Sequence, residues 1–83
     1  MNIYESYQFI LKAWNEGASA SDIYHMIVDW VEDAKDKLKT EAAKKEAAEL
    51  WDRFDTNDST NEIVEDFVYG KRYSEIRQEM TIV

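Results

Sequence analysis

Residues Ser19 to Phe54, SASDIYHMIVDWVEDAKDKLKTEAAKKEAAELWDRF, run for 36 positions without a glycine or a proline. They are rich in helix formers and hold two of the three tryptophans. A chain of 83 residues has room for one domain, so every other segment must pack against this one. At its start, Ser19, Ala20, Ser21 and Asp22 form a capping signal, with Ser19 as N-cap and Asp22 expected to reach back from the third helical position. From there Ile23, Ile27, Trp30, Val31, Ala34 and Leu38 make one apolar face, with Tyr24 and Met26 at its margins, and the helix is expected to run to about Lys39. His25 lies between those margins and reads as a surface or edge residue, since one histidine without a cysteine offers no metal or acid–base partner.

After Leu38 the apolar phase shifts. The next stripe is Ala43, Ala47, Leu50, Trp51 and Phe54. Five residues separate Leu38 from Ala43, which at about 100° per residue turns the stripe roughly 140° away from the first. A break or kink near Thr40, a competent N-cap, accounts for the change better than one continuous helix. Spacings of i, i+4 suggest pairs of Asp33 with Lys37, Glu41 with Lys45, and Glu49 with Arg53.

Working outward toward the N-terminus, Ile3, Tyr7, Ile10, Leu11 and Trp14 line one face of a first helix over residues 3–16, which Gly17 closes. Tyr4 widens that stripe. Phe9 falls on the far side, where an aromatic is either a secondary contact or an anchor for a partner. Toward the C-terminus, Ser59, Thr60, Asn61 and Glu62 read as a second capping box, opening a helix with Ile63, Val64, Phe67 and Val68 that ends at Gly70. A last helix over about 72–80 carries Tyr73, Ile76 and Met80. The tail Thr81-Ile82-Val83 reads as frayed or tucked against the core. The expected fold is all-α, a small antiparallel bundle of four to five helices, with Trp14, Trp30 and Trp51 meeting in or near the core.

Composition narrows the function classes. Without cysteine there is no disulfide framework, thiolate nucleophile or Cys-based zinc site. No apolar run approaches the roughly 20 residues of a membrane span, and Met1 is followed by no signal segment, so a cytoplasmic protein is expected. Net charge is −8, which disfavours direct binding of nucleic acid or an anionic membrane and favours basic protein surfaces. Carboxylates are plentiful, but none sits with the His, Lys or apolar pocket that marks an acid–base pair; no enzyme activity, metal or cofactor is expected.

The corner Asp55 to Asp66 resembles the calcium-binding EF-hand loop, with Asp55, Asn57 and Ser59 at alternate positions between Phe54 and Phe67. It departs from that pattern at Thr60, where the family has Gly, at Glu62, where a β-branched apolar residue is usual, and at Asp66, where a bidentate Glu is usual. The stretch is therefore assigned as a polar interhelical corner.

Charge distribution is the feature that stands out. Residues 46–66 carry Glu46, Glu49, Asp52, Asp55, Asp58, Glu62, Glu65 and Asp66 against one base, Arg53. The first five recur every third residue, about 4.5 Å of helical rise per step, a spacing that can approximate backbone phosphates. This points to a non-enzymatic binding protein whose acidic face engages a basic target, by analogy with small phage-encoded inhibitors of nucleic-acid-acting or defence proteins, sometimes acting as DNA mimics. Glu46, Glu49, Asp52, Asp55, Asp58, Glu62 and Asp66 would supply long-range attraction, and Trp51, Phe54 or Phe9 short-range affinity. The alternative is a homo-oligomeric structural or assembly subunit, for instance a homodimer pairing this acidic stretch with the basic one from Lys35 to Lys45.

Overall fold

The computed structural model describes residues 2–56 and 58–81. Five α-helices follow one another: α1 Ile3–Asn15, α2 Ala20–Ala34, α3 Glu41–Arg53, α4 Thr60–Val68 and α5 Ser74–Thr81. A 3-10 turn, Lys71–Tyr73, leads into α5. The chain is all-helical, a small helical bundle, with no strand among the described residues.

The long central stretch is two helices. Thr40 is the N-cap of α3, its Oγ1 accepting from the Ala43 amide at 3.1 Å. Yet α2 stops at Ala34, about five residues sooner than the apolar pattern suggests. Leu38 still reaches the core because the Lys37 and Leu38 amides both donate to the Ala34 carbonyl, curling the chain inward. Apolar periodicity registers which side chains are buried, and a tight turn can bury one as well as a helix can.

The caps divide along similar lines. Ser19 accepts from the Asp22 amide at 3.2 Å, as a capping serine should. Ser59 occupies the N-cap position of α4 but makes no side-chain cap bond, so the second capping box does not form. Asn2, unremarked in the sequence, caps α1 by accepting from the Glu5 amide at 2.9 Å. Gly17 follows α1 at φ +92°, a left-handed conformation that glycine adopts without the penalty of a Cβ. Gly70 is required for a different reason: a Cβ there would stand 2.8 Å from the Asp66 Cα.

α2 packs against α1, α3 and α4, and α3 packs against α5. At the centre Tyr7, Trp30 and Phe67 tilt against one another with ring centroids 5.5–5.6 Å apart. The indole of Trp30 donates to the Ile3 carbonyl at 2.8 Å, which satisfies its one polar atom inside the core. Trp14 and Trp51 are half-buried against this core. Trp51 also meets Phe54 edge to face, and Phe54 meets Tyr24 in the same way. Ile82 and Val83 of the apolar tail lie outside the described residues.

Candidate functional site

The acidic stretch from Glu46 to Asp66 spans the C-terminal part of α3, the corner after it and most of α4. Its carboxylates divide into two groups, and the division follows from where the arginines go. Arg53 closes α3 but turns inward and is 6% exposed. Its Nε donates to Asp58 at 2.7 Å, and one terminal nitrogen donates to Asp66 at 2.8 Å and to the Tyr73 hydroxyl at 3.2 Å. Burial alone works against the charge, but these three acceptors outweigh it and hold the guanidinium above the ordinary arginine pKa. In return Arg53 holds the Asp58 carboxyl below the usual carboxylate range.

Glu49 therefore finds another base and pairs with Arg72 instead of with Arg53 four residues on. Glu41 pairs with Lys44, one residue nearer than the expected Lys45, whereas Asp33 and Lys37 pair at i, i+4 as expected. Glu46 is half-buried and accepts from the Ile76 amide at 3.0 Å, at the first turn of α5. Desolvation pushes its carboxyl up, with the Ile76 and Glu75 amides pulling the other way.

Four of the seven acidic residues expected to meet a partner (Glu46, Glu49, Asp58 and Asp66) thus already hold partners within the fold. Glu65, also in this stretch, accepts from the Tyr69 hydroxyl at 2.5 Å. Asp52, Asp55 and Glu62 are exposed and carry no ion partner among the described residues. Asn57, one position of the EF-hand-like stretch, lies outside the described residues. Elsewhere in that stretch Arg53 supplies the positive charge at Asp58 and Asp66, and no group of three metal-ligating side chains occurs among the described residues.

The expected aromatic anchors separate as well. Trp51 is half-buried, and the Lys35 ammonium sits 4.4 Å from its ring centroid, a cation–π contact over one face of the ring. Phe54 is half-buried between Tyr24 and Trp51. Phe9 is 54% exposed. It stands on α1 between two grooves, one toward α2 and one toward the C-terminal end of α5.

The α1–α2 groove went unnoticed in the sequence. Its volume is about 220 Å³, with Phe9, Ile10, Met26 and Trp30 forming apolar walls and floor. Asp29 and Asp33 stand on its α2 side. The signal that could have revealed it was Met26 on the margin of the buried face, with Asp29 one turn and Asp33 two turns further along the same helix. Beyond the groove, Glu32 and Asp36 continue the acidic outer side of α2 and its turn, both exposed. No helix among the described residues is long and apolar enough to cross a membrane. No family model, curated protein or solved structure matches this chain.

Proposed function

We propose that this chain is a non-enzymatic protein-binding module that seats on a basic surface of another protein. The observation that carries the reading is the allocation of charge on α3 and α4. Arg53 and Arg72 are taken up by Asp58, Asp66 and Glu49, which leaves Asp52, Asp55 and Glu62 facing solvent with no ion partner among the described residues. A surface of this kind accelerates encounter with a cationic partner and repels nucleic acid. A nucleic-acid-acting or defence protein, whose working surface is basic, is the natural target, and a small phage-type inhibitor the natural role. Strict phosphate mimicry is the less favoured version, because three of the five regularly spaced carboxylates (Glu46, Glu49 and Asp58) serve the fold.

The test is affinity capture from the native or host cell lysate with low- and high-salt washes, followed by association kinetics on the partner identified. A basic nucleic-acid-acting protein, released by salt and associating about tenfold more slowly with the variant D52K/D55K/E62K, supports the reading. An unchanged association rate overturns it. The homo-oligomer alternative draws on the exposure of Phe9 and Tyr69, 54% and 60%, and sedimentation as a monomer at high micromolar concentration removes it.

A further inference from the structure

The groove between α1 and α2 combines features that the acidic corner lacks. Its floor is apolar and has no polar demand of its own, since the Trp30 indole is already hydrogen-bonded to the Ile3 carbonyl. A volume of about 220 Å³ accommodates one large side chain; a buried apolar cavity of about 150 Å³ is enough for benzene. Phe9 forms one wall and exposes much of its ring.

The rim supplies direction. Asp29 and Asp33 are one helical turn apart on α2, with Cβ atoms about 5–6 Å from each other. Asp29 has no ion partner among the described residues. Asp33 holds the Lys37 ammonium at 2.7 Å, which shows how a cation sits at that edge. Both members of that pair are more than half exposed, so an incoming ammonium can replace Lys37 at little cost.

We propose that this groove docks a basic amphipathic helix of a partner protein. One apolar side chain enters between Phe9, Met26 and Trp30, and two lysines or arginines one turn apart on that helix meet Asp29 and Asp33. This rests on the binding-module reading above and gives it an anchor and a partner chemistry: acidic charge attracts, and the groove supplies short-range affinity. A second copy of this chain is the weaker occupant, because it brings its own net charge of −8 to a rim that is itself acidic.

The experiment titrates the ¹⁵N-labelled full chain with a synthetic peptide of leucine and lysine in helical spacing. A scrambled peptide of the same composition is the control. Expected are saturable shifts centred on Ser6 to Ile10 and Met26 to Asp33, weaker by about tenfold for the scrambled peptide and for F9S. In D29N/D33N the affinity falls and loses most of its salt dependence. Phe9 is exposed enough for F9S to fold, and unchanged circular dichroism verifies this. Shifts centred instead on Asp52, Asp55 and Glu62, with the scrambled peptide binding equally well, overturn the groove while leaving the acidic-surface reading standing. Concentration-dependent shifts at the groove without peptide also overturn the proposal, in favour of a second copy. Saturable binding nowhere on the molecule overturns the groove, while the binding-module reading stands or falls on the lysate capture and association kinetics above.

Discussion

Glu79 and Thr40, separated by 39 positions in the chain, are joined twice. One carboxylate oxygen of Glu79 accepts from both the Thr40 amide, at 3.1 Å, and the Thr40 hydroxyl, at 3.2 Å. The other oxygen accepts from the Lys39 amide at 2.9 Å. Since Thr40 Oγ1 in turn accepts from the Ala43 amide, a carboxylate near the end of α5 organises the start of α3. A negative charge at a helix N-terminus is favoured by the helix dipole as well as by the hydrogen bonds. E79A should therefore cost about 1–3 kcal/mol, a fall of several degrees in the thermal midpoint. E79Q keeps an acceptor for Thr40 but turns a donor toward the Lys39 amide, so it should lose about half as much. Hydrogen exchange provides the check: amides of the first turn of α3 should open faster in E79A, while those of α1 stay unchanged.

That contact also shows where the sequence stops being legible. Apolar spacing gave the five helices and most of the core, because Ile23, Ile27, Trp30 and Val31 repeat at helical period and end up almost fully buried. Thr40 was readable as a cap because a change of phase coincided with a capping residue. Polar pairing was not readable, since long-range partners leave no periodic trace: nothing in the chain announces that Glu79 meets Thr40 or that Glu49 meets Arg72. The early end of α2 was hidden for another reason, since the turn that buries Leu38 keeps the apolar spacing of a helix. The acidic stretch was legible as charge, but its division into carboxylates that serve the fold and carboxylates that face solvent depends on where Arg53, Arg72, Tyr69 and the Ile76 amide fall.

Arg53 itself tests that division. Its planar fork serves Asp58, Asp66 and Tyr73 at once from a nearly buried position. An ammonium has no such geometry. R53M should destabilise by roughly 2–4 kcal/mol, because it removes a buried charge and leaves two carboxylates facing each other across the corner. R53K should recover no more than half of the loss. Urea denaturation at low and high salt measures both; a cost for R53M under about 0.5 kcal/mol would show that the network contributes nothing net.

Tyr7 makes the opposite prediction. Its ring is fully buried between Trp30 and Phe67, yet its hydroxyl has no hydrogen-bond partner among the described residues. Burial pushes the phenol's pKa up, and the Arg77 guanidinium offsets part of the effect through its charge and a loose side-chain contact that falls short of hydrogen-bond geometry. An orphaned buried hydroxyl typically costs about 1–3 kcal/mol, so Y7F should be more stable than the parent by about 1 kcal/mol, with ring packing intact. A loss of that size instead would mean that the hydroxyl is partnered.

Glu46 gives a pH dependence whose sign can be worked out. Burial raises its carboxyl above the ordinary value in the folded chain, so the folded state binds this proton more tightly than the unfolded state does. The contribution to stability is fully present below the unfolded pKa and is lost as pH rises through the folded one. Glutamine copies the protonated acid and can still accept from the Ile76 amide. E46Q should thus be more stable than the parent at pH 7, with the difference closing by about pH 4, near the ordinary glutamate value. Asp58 works in the other direction. Arg53 lowers its pKa, so its contribution is present at neutral pH and fades only as pH falls through the lowered value, and D58N should be worse than the parent at pH 7. Urea midpoints of the three proteins at the two pH values decide the matter. E46Q less stable than the parent at pH 7 would mean that the charged carboxylate is worth more to the α5 amides than its burial costs.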